Sequence, residues 1–143
     1  MSIECRTAVY EDLDDINLLF QGASKDGAAF SSRQEIIYQR ILKEDMIDLL
    51  VVEKDQYVVA CCHCAIVPTL ANSGRSYAVV NHFLVDPLNR KQGHAKRLLE
   101  FAISYAKRKG CYQLYLVNDQ PELWHQQFLS RYRFSQQGGL FRL

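Results

Sequence analysis

The sequence has little of what marks a disordered or membrane-bound chain. Its 143 residues include only three prolines and seven glycines, and they contain no low-complexity segment and no internal repeat. No stretch approaches the roughly 20 apolar residues that a membrane-spanning helix needs, and residues 1–6 lack the apolar segment of a secretory signal peptide. With 48% apolar and 23% charged residues, the composition is that of a globular protein. We expect a cytoplasmic protein that does not act on membranes.

An excess of charge of one sign is also lacking. Seventeen Lys and Arg residues stand against sixteen Asp and Glu residues, which gives a formal net charge of +1. A general nucleic-acid binder needs a basic excess to contact phosphates, so we expect no nucleic-acid partner. A domain usually takes roughly 100 to 200 residues. The chain is therefore predicted to form a single domain over residues 1–143.

The cysteines lack the pattern of a disulfide framework. There are five, an odd number, and three of them stand in Cys61-Cys62-His63-Cys64. On a strand, Cys62 and Cys64 would face one side while Cys61 and His63 would face the other, and the chain offers no second group at zinc-site spacing. We favour buried, reduced thiols and keep a metal- or partner-binding scaffold as a third hypothesis.

Apolar periodicity predicts a mixed order of strands and helices. Strands are predicted over residues 3–9, 47–53, 57–67, 77–85 and 111–117, with a short turn and strand over 134–143. Helices are predicted over 13–20, from Ser32 onwards, from Ala95 to Gly110, and over 122–131. Strands 47–53 and 57–67 are expected to form an antiparallel hairpin. The strand-helix-strand unit over 77–117 should be parallel and right-handed.

The second helix has a specific start signal. Ser32 and Glu35 have the spacing of a capping box. The stripe predicted to be buried consists of Ile36, Ile37, Ile41 and Leu42.

The most informative stretch is residues 85–99, which read VDPLNRKQGHAKRLL. A strand ends, a short basic loop with Gly93 follows, and an amphipathic helix begins at once. The amides of a first helical turn have no acceptors within the helix, so they converge on an anion placed there. Gly93 and Ala95 would leave room for the anion, and positive charge would come from Lys91, Lys96 and Arg97. The alternative is an ordinary strand-to-helix turn with solvated basic residues.

This stretch resembles the acyl-CoA binding motif of the GCN5-related N-acetyltransferases (GNAT), whose core reads V-D-P-x-x-R-x-x-G-x-G/A. The motif positions are held here by Val85, Asp86, Pro87, Arg90, Gly93 and Ala95. The similarity covers most of the chain, including the hairpin before the loop and the aromatic-rich end around Phe134. It implies a GNAT-like α+β fold: a mixed, mostly antiparallel central sheet flanked by helices, with a splayed parallel strand pair.

The resemblance also implies how acetyl-CoA would bind as the acyl donor. Backbone groups of Phe83, Leu84 and Val85 would hold the pantetheine arm as an extra strand. The pyrophosphate would lie on the amides of Gln92, Gly93, His94, Ala95 and Lys96, with Arg90 and Lys91 lining the loop. The thioester would lie where the parallel strands splay apart, and the His94 side chain is expected to face solvent.

Acetyl transfer to an amine requires a group that removes a proton, because an ammonium group has a pKa near 10.4. Similar proteins often carry Glu at the position of Asn81, and an amide there does not usefully accept a proton. The adjacent His82 is the candidate general base, since an imidazole ordinarily titrates near pH 6.5. The alternative for His82 is a hydrogen-bonded core residue.

The last helix departs from the family pattern F-Y-x-x-x-G-F, whose Tyr hydroxyl reaches the leaving sulfur. Residues 128–134 place Leu129 at the Tyr position and Arg133 at the glycine position. Tyr132 lies three residues after Leu129, which puts it near the same helix face. Tyr132 is the candidate proton donor, and a packing role is the alternative.

The acceptor is expected to be a primary amine of a small molecule. The resemblance implies that its wall is formed by loop 22–30 and the second helix, where Asp26 could attract an amine, while Trp124 and His125 either border the site or pack. Dimers are common among similar proteins. Because Asn81 and Leu129 depart from the pattern, an acyl-CoA-binding protein with weak or lost transferase activity is the second hypothesis.

Overall fold

The computed structural model describes residues 2–117, 124 and 126–143. Five strands form one sheet: β1 (Ile3–Thr7), β2 (Ile47–Lys54), β3 (Tyr57–Val67), β4 (Tyr77–Val85) and β5 (Gln113–Leu116). The helices are α1 (Leu13–Ala23), α2 (Ser32–Lys43), the single turn α3 (Ala71–Gly74), α4 (His94–Arg108) and α5 (Gln126–Arg131). None of the helices in this described part is long and apolar enough to cross a membrane.

The sheet is mixed, and its strands follow the chain order β1-β2-β3-β4-β5. Neighbouring strands are antiparallel from β1 to β4, and β4 pairs with β5 in parallel. Helix α4 makes the crossover between the two parallel strands, as such a connection requires. The predicted fold class, a mostly antiparallel mixed sheet flanked by helices, is confirmed.

Each face of the sheet carries its own apolar core. On one face, Leu98, Leu99 and Ala102 of α4 are fully buried against the sheet. On the other face, Ile16 and Leu19 of α1 and Tyr38 of α2 pack on a second set of strand residues. Cys62 and Cys64 belong to the first core and Cys61 to the second. The alternation expected for this strand is confirmed.

Strand β4 contains one residue more than its partner β3 at its centre. Asn81 pairs with His63 and Leu84 pairs with Cys61, so His82 and Phe83 together lie opposite Cys62. This is a β-bulge, and His82 has a left-handed backbone with φ of 49°. The bulge reverses the alternation of the strand. Ala78 and Val80 face α4 before it, and Phe83 and Val85 face α4 after it.

The second helix begins and packs differently from the prediction. Ser31, not Ser32, is its N-cap, and the capping box joins Ser31 to Gln34 rather than Ser32 to Glu35. Only Tyr38 is buried in this helix, while Ile36 is 60% exposed and Ile37 is 41% exposed. The predicted stripe is confirmed at Ile41 and Leu42, which pack against the core of this face together with Tyr38. It was wrong at Ile36 and Ile37, because the helix turns Tyr38 towards the sheet instead.

Several ends also differ from the prediction. Strand β1 stops at Thr7 instead of residue 9, because a 3-10 turn begins at Tyr10. Strand β5 is shorter than the expected 111–117, and residues 134–143 form no strand. The described part of the last helix is Gln126–Arg131. The predicted helical positions 122, 123 and 125 lie outside the described residues.

The acidic run before α1 is used for tertiary contacts. Arg6 of β1 donates two hydrogen bonds to the Asp12 carboxylate, at 2.7 and 2.9 Å, and the Val9 amide donates a third at 2.8 Å. Burial raises the pKa of Asp12, but the bonds from Arg6 and Val9 outweigh it and hold that pKa below its usual value. Asp15 accepts from the Val58 amide at 2.9 Å. These two carboxylates fix α1 to β1 and β3.

We expect Asp12→Asn to lower the free energy of unfolding by about 2 kcal/mol at pH 7, because it removes the charge from this hydrogen-bonded group. Because the pKa of Asp12 is lowered by folding, its contribution is present above the usual carboxyl pKa of about 3.9 and is lost as the pH falls through the folded value. Urea unfolding at several pH values measures this. The control is Asp14→Asn, at an exposed position of α1. Equal losses in both variants at pH 7 would contradict the role of Asp12.

Candidate active site

The loop over residues 86–93 is shaped by a capped 3-10 turn and by the left-handed Gly93. Asp86 caps a 3-10 turn by accepting from the Leu88 amide at 3.0 Å. Gly93 is the N-cap of α4 with φ of 82°, and its carbonyl accepts from the Arg97 amide at 3.0 Å. The amides of the first turn, from His94 to Lys96, precede any intrahelical acceptor. The loop therefore offers the donors that an anion needs.

Two cationic side chains, Lys54 and Arg97, donate hydrogen bonds to this loop. Lys54, at the end of β2, donates to Gln92 Oε1 at 2.8 Å and to Asn89 Oδ1 at 3.3 Å. Arg97 turns back and donates to the Gln92 carbonyl at 2.7 Å. A Cβ at Gly93 would lie 3.3 Å from Arg97 Nη1. Glycine is thus needed both for its backbone angle and for the approach of this guanidinium.

His94 does not face solvent, and that expectation was wrong. Its side chain is only 2% exposed, and its Nδ1 lies 3.3 Å from Arg97 Nη1. Burial lowers the pKa of His94, and the nearby Arg97 and Lys54 lower it further. The first residue of α4 points inwards because the left-handed Gly93 turns the chain sharply before it. Its backbone amide still belongs to the open first turn.

One edge of β4 is open next to the loop. Pairing with β5 runs from Tyr77 to Val80, and the Val117 amide adds a last bond to the Val80 carbonyl at 2.9 Å. Beyond Val80, no strand of the described chain pairs with this edge. A cavity of about 220 Å³ adjoins the end of β4 and is lined by Leu84, Val85 and Arg90 together with α1 residues Leu19, Gly22 and Ala23. Three of the residues predicted to bind the acyl donor, Leu84, Val85 and Arg90, therefore line an accessible cavity.

The bulge brings four rings together on the α1 side of the sheet. His82 is exposed, and its ring centroid lies 5.1 Å from that of His63 and 6.3 Å from that of Phe20. Phe20 lies 6.1 Å from His63 and 5.5 Å from Phe30. Asn81 is the cross-strand partner of His63 and is partly buried. Asn81 and His82 thus lie beside the point where β4 and β5 separate.

His63 differs from His82 in its surroundings. Burial, followed by the neighbouring His82, lowers the pKa of His63 to about 4. Its Nδ1 is buried and has no hydrogen-bond partner within the described part of the chain. His63 is therefore neutral at physiological pH and adds no positive charge beside His82.

Tyr132 lies on the other side of the molecule from the two histidines. Its hydroxyl donates to Glu100 of α4 at 2.5 Å, and this bond raises the pKa of Tyr132. Its ring packs 5.1 Å from Phe128, which continues through Trp124 to Phe83 of β4. Leu129 packs against the α4-side core. The structure brings Asn81 and His82 together but holds Tyr132 on Glu100, and the role of Tyr132 as a proton donor stays a prediction.

The remaining residues singled out in the sequence are the cysteines, Asp26, Trp124 and His125. All five cysteines are free thiols, and burial raises the pKa of Cys61 to about 12. In the described part of the chain, no cluster of three His, Cys, Asp or Glu side chains could hold a metal ion. Asp26 accepts from Ser24 and from the Ala28 amide within its own loop. Trp124 is buried, and His125 lies outside the described residues.

Sequence reasoning missed Lys54, Phe20 and His63 as residues of this site. Lys54 is distant from the loop in sequence, and no local pattern connects the two. His63 was recognised on the same strand face as Cys61, but the pairing of His63 with Asn81 depends on the bulge and on the length of the connection over 68–76. Period-two counting places a side chain on a face and does not give its partner across the sheet.

Comparison with known proteins identifies the family. The sequence profile of the Acetyltransferase (GNAT) family matches residues 9–130. The chain therefore belongs to the GNAT acetyltransferase family, whose members are generally transferases. A search of curated protein sequences found no match.

Solved structures share the fold at low sequence identity. An acetyltransferase from Trypanosoma brucei is 21% identical with a TM-score of 0.84, and each chain is covered to 99%. A transcriptional regulator from Bacillus halodurans is 19% identical with a TM-score of 0.88, again over 99% of each chain. Glucosamine-6-phosphate N-acetyltransferase from Arabidopsis thaliana is 17% identical with a TM-score of 0.82, over 100% of this chain and 98% of that one. At these identities the likeness establishes the fold.

Replacing Gly93 by Ala tests the loop. Gly93→Ala and Gly110→Ala both place a side chain at a left-handed position, with φ of 82° and 80°, and each should cost about 1–2 kcal/mol of stability. Only the Ala at 93 would also displace Arg97, because nothing lies within 4 Å of a Cβ at 110. We expect calorimetry to show at least tenfold weaker CoA binding for Gly93→Ala and unchanged binding for Gly110→Ala. Wild-type affinity for CoA in Gly93→Ala would contradict the role of this loop in CoA binding.

Proposed function

We propose that the protein is an N-acetyltransferase that moves an acetyl group from acetyl-CoA to a primary amine of a small molecule. The observation that carries the proposal is the open edge of β4. It joins the amide-rich loop after Val85 to the bulge that carries His82. A thioester donor bound along that edge would have its charged end at the loop and its reactive end beside His82.

The residues present fit acetyl-CoA. The first-turn amides and Arg90 and Lys91 suit a pyrophosphate, since helix N-termini bind anions through free amides and the helix dipole. No described strand pairs with residues 83–85 on the β5 side, so their backbone would pair with the amide groups of a pantetheine arm. When bound, acetyl-CoA would supply an activated acetyl thioester, so that attack by a neutral amine forms the new C–N bond and releases the CoA thiolate.

His82 is proposed as the general base. Its side chain is exposed at the bulge, and the neutral His63 beside it does not repel the proton that His82 would take from the amine. Asn81 presents an amide on the adjacent position and is proposed to orient the acceptor by hydrogen bonding. For the leaving sulfur we propose water as the proton source, because the Tyr132 hydroxyl is engaged with Glu100.

The second candidate function is acyl-CoA binding with little transfer. The observations that favour it are the apolar packing of Leu129 and the bond of Tyr132 to Glu100, which leave no described phenol on the open edge of β4. Both candidates require the donor to bind, and only the first requires turnover.

Acetyl-CoA is expected to raise the melting temperature, because a ligand that binds only the folded state stabilises it by about 2.7 kcal/mol at 100 times its Kd. Thiol release over a panel of primary amines then measures transfer. Desulfo-CoA, which keeps the pyrophosphate and lacks the thioester, is the control and should raise the melting temperature without any thiol release. No thermal shift with millimolar acetyl-CoA would reject both candidates, and a shift without turnover would select the second.

His82→Asn tests the base while keeping the bulge, since Asn tolerates a left-handed backbone better than Gln does. We expect kcat to fall by about 10²-fold or more, which is the usual contribution of a placed base. The loss should be larger at neutral pH than at pH 9, where more of the amine is already neutral. The thermal shift with acetyl-CoA should be unchanged. An unaltered kcat in a variant that binds acetyl-CoA normally would remove His82 from this role.

A further inference from the structure

A second cavity, of about 230 Å³, lies between α1, α2 and the sheet. Its walls are mainly apolar and include Phe20, Phe30, Ile37, Ile41, Leu49 and His63. It differs from the cavity at the end of β4, with which it shares no lining residue.

Two of the rings that line this cavity also pack against His82, the proposed base. Phe20 and His63 both line it, and both contact the His82 ring at centroid distances of 6.3 and 5.1 Å. His82 does not line the cavity itself but packs on two of the rings that do. The cavity is on the same side of the sheet as His82, and the crossover helix α4 lies on the opposite side.

The charge of the cavity wall limits what it can hold. Among the described residues that line it, Arg33 is the single charged one, and no carboxylate is present. His63 is neutral because burial and His82 keep its pKa at about 4. A polycationic amine would find no counter-charge here. The lining offers only a few polar side chains, such as Arg33, Gln34 and His63, so a polyhydroxylated amine would lose water and leave most of its hydroxyl groups without a hydrogen bond.

The size of the cavity suits one ring and a short chain. A dry protein cavity of about 150 Å³ holds benzene, so a cavity of about 230 Å³ has room for a phenyl group and a few more heavy atoms. Burying a phenyl group there is favourable because it removes apolar surface from water.

We propose that this cavity takes the body of the acceptor and that the acceptor is a primary amine on an apolar body, best an aromatic ring with a short alkyl chain. The ring would pack against Phe20, Phe30 and Ile37, and the amine nitrogen would be directed towards His82. That the ligand is the acceptor of an acetyl group rests on the proposed function, whereas the chemical class of the ligand is inferred from the cavity alone.

Binding of 2-phenylethylamine tests the ligand class without catalysis. In the presence of desulfo-CoA, calorimetry is expected to show that 2-phenylethylamine binds at least tenfold more tightly than glucosamine, a hydrophilic primary amine. Equal affinities, or tighter binding of glucosamine, would overturn the inference. So would the absence of binding by 2-phenylethylamine at millimolar concentration.

A matched pair of variants on α2 locates the binding. Ile37 lines the cavity and is 41% exposed, whereas its neighbour Ile36 is 60% exposed and does not line it. Ile37→Gln is expected to weaken 2-phenylethylamine binding about tenfold, and Ile36→Gln is expected to leave it unchanged. Glutamine adds no charge that would attract the ammonium group, and both positions are exposed enough for the variants to fold. Equal effects in the two variants would refute this location.

Turnover separates this inference from the proposed function. If the binding pattern holds but no amine releases thiol, the ligand class stands and the transferase activity fails. If glucosamine is acetylated and 2-phenylethylamine is not, the transferase activity stands and the inference fails. In the expected case, Ile37→Gln raises KM for 2-phenylethylamine about tenfold with kcat within twofold of wild type.

Discussion

The extra residue in β4 is the constraint on which the site depends. Without it, His82 would continue the alternation of Ala78 and Val80 and point into the α4 core, where the chain instead buries Phe83. The bulge adds His82 to the side that Asn81 already faces, while both halves of the strand keep apolar residues on α4. It also coincides with the end of the described β4–β5 pairing at Val80. One inserted residue thus exposes a histidine at the point where this pairing ends.

The strain of the bulge is small compared with the packing around it. A left-handed backbone costs a non-glycine residue about 1–2 kcal/mol. The flanking Val80, Phe83 and Leu84 are each at most 5% exposed, and burying such side chains contributes roughly 1.5–3 kcal/mol each. Closing the bulge would relieve His82, but it would turn one half of β4 over and move either Val80 or both Phe83 and Leu84 to the opposite face of the sheet. The cores on both faces therefore hold the bulge in place.

The long inner strands were predicted well because nearly continuous apolar runs are typical of strands buried on both faces. The bounds of β3 and β4 agree with the prediction, and the glycine-containing loop over residues 86–93 lies between β4 and α4 as predicted. The two polar residues at 81 and 82 were noticed, but a bulge cannot be read from them because it is fixed by pairing with β3. The prediction of the buried face of α2 was wrong at two positions for a related reason. Ile36 and Ile37 were assigned to the core by their apolarity alone, whereas Tyr38 makes the contact with the sheet.

The separation between loop and bulge would allow one small sheet to serve the proposed charged donor and the proposed apolar acceptor. Three strand residues lie between His82 and Asp86, so the two are four steps apart along the strand, which corresponds to about 13 Å at 3.3 Å per residue. This exceeds the Debye length of about 8 Å at physiological ionic strength, so the positive charge of the exposed loop is largely screened at His82. An ammonium group can approach the bulge without repulsion from the cations that hold the loop. The same distance requires any donor anchored at the loop to run along the open edge of β4 before its reactive group reaches His82.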